Sequence, residues 1–159
     1  IEVSRKSVQE AQLRQLPCAR FQEYDGRQIL FEAGVFDVVV FCVVMHHVPL
    51  EIREPLLREC GRVLRPGGIL LIFEHNPLNP VTQFIVKRCP FDDDAILLRS
   101  GEAADLLRRT GFQILKRRFI NFFPNRGLFR HLMPLEKWLG NYPRGRNITL
   151  KPSGQIDRN

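Results

Sequence analysis

Phe36-Asp37-Val38-Val39-Val40-Phe41-Cys42-Val43-Val44 is the stretch on which the fold turns. Five of its residues are valine and only Asp37 is charged. β-Branched side chains are stiff at χ1 and favour extended chain. The apolar run is continuous rather than alternating, which predicts a strand over 36–44 buried on both faces, as in the centre of a parallel sheet.

Working outward toward the C-terminus, Ile52, Leu56, Leu57, Cys60, Val63 and Leu64 recur at helical spacing, which predicts a helix over Glu51–Leu64 with one buried stripe. Pro66-Gly67-Gly68 stops it as a helix-to-strand reversal, and Ile69–Phe73 is a short apolar strand. Gly101–Thr110 reads as a helix with Ala103, Leu106 and Leu107 inward and Gly111 as a left-handed cap. A strand over Phe112–Phe123 follows. Toward the N-terminus, Cys18–Tyr24 has strand-like alternation ending in the Asp25-Gly26 turn pair. Before it, Ser4 caps a helix running from Arg5 to Leu16, which Pro17 ends, and residues 1–4 close an earlier strand.

Strands and helices therefore alternate, and right-handed crossovers give an α/β fold: a Rossmann-like, doubly wound, mostly parallel sheet. The predicted core spans residues 1–123. Residues 124–159 form a basic extension with an apolar helical face (Leu128, Phe129, Leu132, Met133, Leu135, Trp138, Leu139) interrupted by Pro134. Asn147–Lys151 is its expected last strand, and Pro152–Asn159 its frayed end. The chain opens on Ile1 within an apolar-acidic-apolar triplet, so a missing start is expected.

With 159 residues, 44% hydrophobic and 26% charged, the chain suits one globular domain. The longest uncharged apolar run, Val38–Met45, is far short of the ~20 residues that cross a bilayer. A soluble, cytoplasmic protein is expected. The four cysteines lie far apart without a Cys-x-x-Cys pair and read as reduced, mostly buried thiols. Ile1–Phe112 holds 14 basic and 15 acidic residues, whereas Gln113–Asn159 holds 10 basic and 2 acidic. The +7 net charge thus belongs to the tail. A solvated surface is the first reading of that excess, an anionic or lipid-linked acceptor the second and nucleic acid the third.

The run Phe36-Asp37-Val38-Val39-Val40, then Val44-Met45-His46-His47-Val48-Pro49, then Arg58-Glu59-Cys60-Gly61-Arg62-Val63-Leu64-Arg65-Pro66-Gly67-Gly68 resembles the class I S-adenosylmethionine-dependent methyltransferases. The likeness is closest over residues 36–73 and extends in order from Ile1 to about Phe123. Glu74-His75-Asn76-Pro77-Leu78-Asn79-Pro80 and Arg88-Cys89-Pro90-Phe91-Asp92-Asp93-Asp94-Ala95 also resemble bacterial members. The resemblance implies S-adenosylmethionine as cofactor and methyl transfer to a small-molecule acceptor. It also implies a Gly-x-Gly-x-Gly loop, which this sequence lacks, so an N-terminally shortened domain is expected.

By the same resemblance, Glu2 accepts hydrogen bonds from the cofactor ribose, Asp25 and Gly26 hold the adenine, and Phe41 and Cys42 face the cofactor. Read from the residues alone, Glu2 also suits a helix start and Asp25-Gly26 a plain turn. His47, His75 and Glu74 are the candidate acceptor-side bases, because Glu74-His75-Asn76 follows a strand end where open α/β sheets bind ligands. His46 and His47 are adjacent and are not expected to share a metal, so no metal site is assigned. Asp92, Asp93 and Asp94 are expected at the N-terminus of a short helix over Ala95–Leu98. Two other classes remain: an NAD-dependent oxidoreductase, and a non-catalytic fragment or interaction module. The Arg62–Gly68 run before a strand favours the methyltransferase reading.

Overall fold

A computed structural model describes residues 1–118 and 148–152. Four strands form one sheet in the order β1 (Phe36–Cys42), β2 (Leu64–Phe73), β4 (Ile148–Pro152), β3 (Phe112–Arg117). β1 and β2 are parallel, joined by helix α2 (Leu50–Val63), and β4 runs antiparallel to both β2 and β3. Helix α1 is Arg5–Gln12, α3 is Pro80–Val86 and α4 is Ser100–Arg109. The α/β class is that expected. The stretch beyond residue 123 contributes β4 to the interior of the same sheet.

Helices α2 and α4 pack together on the sheet. Their stripes, Leu56, Leu57, Cys60 and Val63 with Leu106 and Leu107, meet Phe41, Leu70, Ile72 and Phe112 in one buried cluster. The stripe on α2 matches its sequence period, although Ile52 is only half-buried. On α4 the buried alanine is Ala104, with Ala103 packed at the margin. Gly111 has φ +89°, the left-handed cap expected of it.

Several expectations are corrected. β1 ends at Cys42 and is not buried on both faces: Val38 and Val40 are 45% and 53% exposed. Among the described strands β1 has a ladder partner only in β2, so its other edge is unpaired, and the described residues leave the face bearing Val38 and Val40 uncovered. Helix α1 stops at Gln12, short of Leu16, although Ser4 caps it as read, its side chain accepting from the Ser7 amide. Residues 1–4 and 18–24 make only a parallel bridge between Glu2 and Glu23. Cys60 is buried and its thiol is pushed up to about 12 by desolvation, but Cys18 and Cys42 are exposed; all four are free. Residues 95–98 are not helical; Asp92 instead ends a short 3-10 helix, Pro90–Asp92, and Asp93 and Asp94 follow it. The strand expected over Phe112–Phe123 ends at Arg117, with residues 119–123 outside the described residues, as is the apolar face over 128–139.

Pro66-Gly67-Gly68 lies inside β2. The pairing jumps from Phe36 with Leu64 to Val38 with Ile69, so Arg65–Gly68 loop out of the ladder. A Cβ on Gly68 would stand 2.9 Å from the Arg65 carbonyl oxygen and 3.2 Å from that of Asp37, while Gly67 has φ +79° and open space around it. Gly68→Ala therefore overpacks a backbone contact and is expected to cost about 1–3 kcal/mol. Gly67→Ala incurs only left-handed strain of about 1–2 kcal/mol. Urea denaturation of both variants checks this, and equal stability of Gly68→Ala and the parent protein would show that β1 and β2 do not meet as described.

Candidate active site

Two clusters hold the residues singled out above. The first lies where two extended segments end side by side. The Glu2 amide donates to the Gln22 carbonyl and the Tyr24 amide to the Glu2 carbonyl, at 3.0 and 3.1 Å. Glu2 Oε1 accepts from the amides of Val3 and Ser4 at 2.8 and 3.0 Å, immediately before α1. Asp25 Oδ1 accepts from the amides of Arg27 and Gln28, and these bonds hold its carboxyl below the ordinary value. Gly26 has φ +78°, and a Cβ there would lie 3.4 Å from Val3 Cγ1. Glu2, Asp25 and Gly26 are thus brought together. Both carboxylates turn one oxygen inward to local amides, and a carboxylate has about four acceptor sites, so capacity for ligand hydroxyls or amines remains.

Phe41 and Cys42 do not act as a pair. Strand alternation places Phe41 in the core and leaves Cys42 exposed.

The second cluster sits beyond the carboxyl ends of β1 and β2. Just after β1, Val43 takes φ +59°, a rare conformation for a β-branched residue. The chain turns there, and the amides of Val44 and Met45 both donate to Glu74 Oε1, at 2.8 and 2.5 Å. Glu74 Oε2 lies 2.7 Å from His46 Nδ1. Burial works against the charge on Glu74. The bonds from His46, Met45 and Val44 nevertheless hold its carboxyl below the ordinary value. An ionised carboxylate only accepts, so His46 Nδ1 carries the proton of that bond. Glu74, expected as a base, thus has both of its oxygens engaged by the loop after β1.

His46 is fully buried, and Ile96 donates its amide to the His46 carbonyl. Buried Arg53 ties the same region down, donating from Nε to the Val48 carbonyl and from its terminal nitrogen to that of Ile96. Asp92 Oδ1 lies 3.5 Å from His46 Nε2 and 3.3 Å from His47 Nε2. The side chain of His47 is 37% exposed, and the His75 ring centroid is 5.0 Å from that of His46. His47 thus presents a partly exposed imidazole beside the Asp92 carboxylate. Asp92 was missed as part of this site because its run of aspartates reads as a helix start. Adjacent histidines also converge here, against expectation, because residues 45–47 form a turn rather than a strand or helix.

The family profile described as a methyltransferase domain matches residues 1–72. That match covers 72 of the chain's 159 residues. The fold is that of the class I methyltransferases. An S-adenosylmethionine-dependent methyltransferase from Methanosarcina mazei superposes with a TM-score of 0.66 at 17% identity, covering 96% of this chain and 80% of its own. One from Mesorhizobium loti gives 0.63 at 17%, covering 94% and 77%. The [4+2]-cyclase SpnF gives 0.62 at 20%, covering 96% and 64%. That last likeness means the fold alone does not fix the reaction. Among the described residues no helix is long and apolar enough to cross a membrane.

Removing the Glu74 side chain leaves two amides and a buried imidazole without their acceptor, at about 1–3 kcal/mol for each unsatisfied group. Glu74→Ala is expected to lose at least about 3 kcal/mol overall in denaturant titration. The pH dependence has a definite sign. The folded-state pKa of Glu74 lies below its unfolded value, so its contribution is present above about pH 4.3 and lost as pH falls through the folded value. Glu74→Gln is expected to flatten acid destabilisation in that window, and an unchanged acid limb would remove Glu74 from its cause.

Proposed function

We propose that the chain transfers a methyl group from S-adenosylmethionine to a small-molecule acceptor, with the adenosine part of the cofactor held by Glu2, Asp25 and Gly26. The observation that carries this is the convergence of those three residues at adjacent segment ends, within the region that matches the methyltransferase domain. Carboxylate oxygens suit ribose hydroxyls and an exocyclic amine because they only accept. Gly26, in its left-handed conformation, leaves room for close approach. The bound cofactor supplies an activated methyl group on a sulfonium, whose departure leaves a neutral thioether.

The chain's own task is then placement and proton removal. Holding the acceptor in line with the carbon–sulfur bond provides much of the acceleration. His47, whose Nε2 is steadied by Asp92, would take the proton of an acceptor hydroxyl or amine. Glu74 holds the loop that carries His47, through the Val44 and Met45 amides. An open cleft of about 490 Å³ beside Asp92 is lined by Pro77, Gln83, Val86, Lys87, Asp93 and Leu97 and receives the acceptor. Lys87 offers it a cation, and exposed Phe84, Ile85 and Phe91 on the same segment offer apolar surface. Those features favour an anionic or lipid-linked acceptor.

Calorimetric titration of S-adenosylmethionine into the chain and into Glu2→Ala tests the cofactor assignment. Saturable binding that the substitution weakens by about tenfold, or 1.4 kcal/mol, is the expected result. Binding that is indifferent to the substitution would move the ribose away from Glu2, and no binding at all would count against the assignment.

A further inference from the structure

We infer that His46, His47 and Asp92 form a binding site for a divalent first-row transition metal ion of the zinc class. One potential ligand atom from each of the three residues lies within 4.8 Å of the others. Two bonds of 2.0–2.1 Å meeting at a tetrahedral angle set their ligand atoms about 3.4 Å apart. The observed separations of 3.5 Å from His46 Nε2 to Asp92 Oδ1 and 3.3 Å from His47 Nε2 to the same oxygen match that edge.

An independent observation is the state of His46. Its Nδ1 proton is committed to Glu74 at 2.7 Å, so in the neutral ring Nε2 is a bare lone pair. That nitrogen is buried without a hydrogen-bond partner among the described residues, and the atom facing it is a carboxylate oxygen. Two acceptors face each other across a buried gap, an arrangement that costs free energy unless a cation lies between them. A metal ion satisfies both at once. The Glu74–His46 bond is also the usual partner of a metal-bound imidazole, fixing the tautomer and turning Nε2 toward the ion. The local charge agrees: the carboxyl groups of Glu74 and Asp92 flank His46 on its two ring nitrogens, and Asp94 Oδ1 lies 3.8 Å from His47 Nδ1. Two imidazoles and one carboxylate leave a tetrahedral ion one open position for water or another oxygen ligand. In the loaded protein the ion takes the His47 Nε2 lone pair and Nδ1 keeps the ring's proton, so His47 no longer accepts one, a consequence that rests on the proposed function; the binding itself does not.

The test is titration of cobalt(II), as a spectroscopic substitute for zinc, into the 159-residue chain, followed by visible absorption and by calorimetry, with no methyl-transfer assay involved. One ion per chain, with the intense absorption of a tetrahedral cobalt centre, is expected. His47→Ala and Asp92→Asn, both at the accessible side of the cluster, are each expected to weaken binding by at least about tenfold while circular dichroism stays unchanged. Glu74→Gln is expected to weaken it about ten- to a hundredfold from the second shell. Absence of the tetrahedral band at millimolar cobalt overturns the proposal and leaves a proton as the occupant of the gap. Equal affinity in the parent, His47→Ala and Asp92→Asn proteins also overturns it. Because S-adenosylmethionine binding is read separately with Glu2→Ala, failure here leaves the methyl-transfer reading intact.

Discussion

The Glu74 carboxylate is the constraint on which the carboxyl edge of this sheet depends. It ends β2, yet its bonds reach back across the parallel ladder to the segment after β1, gathering the Val44 and Met45 amides and the His46 ring. Successive amides pointing at one anion form the kind of concave nest that local backbone alone seldom holds. The left-handed Val43 sits at its lip, and the local strain of that residue is tolerable because the three bonds to Glu74 determine where the chain must go next. The site is therefore a property of two adjacent parallel strands in fixed register, Cys42 opposite Phe73, rather than of the histidine loop by itself.

Arg53 extends that constraint into the helical layer. Its guanidinium is buried and pulled below its ordinary pKa by desolvation, with Glu74 and Glu102 acting in the opposite sense. The hydrogen bonds it donates go to the carbonyls of Val48 and Ile96. Ile96 in turn donates to the His46 carbonyl, so the loop after β1 and the segment after the aspartates are tied to one side chain of α2. A comparable clamp fastens the other end of α2: Arg62 donates to the Ile29 and Phe31 carbonyls and pairs with Glu59, which accepts from the Ile29 amide. Polar groups on α2 thus position loops, while its apolar stripe forms the core.

Elements with a strong local period were legible in the sequence. The stripe on α2, the Gly111 cap and the β1 segment follow from spacing and conformational preference within a few residues. What the sequence concealed depends on partners distant along the chain. The exposure of Val38 and Val40 depends on what lies beside and above β1, which a valine run cannot specify. Glu74 reads as a free carboxylate until the register of β1 against β2 places two amides on it. Asp92 reads as a helix start until the 3-10 turn brings it to the histidines. Glu2, Asp25 and Gly26 were found by motif order, and the structure adds that they end adjacent segments.

The two clusters differ in how they treat charge, and that difference follows from burial. Glu2 and Asp25 are exposed and accept from neighbouring amides, so solvent moderates their charge and leaves them suited to exchange hydrogen bonds with a ligand. Around His46, by contrast, burial keeps the local field strong, and the proton on Nδ1 dictates the lone pair on Nε2. A single tautomer fixed by Glu74 therefore makes the far face of the imidazole an electron-rich surface opposite Asp92. Such a gap is resolved by a proton or by a metal ion, and the choice depends on whether the third ligand, His47, is free to close on the same point. Its exposed position on a turn, rather than on a rigid strand, is what leaves that movement open to it.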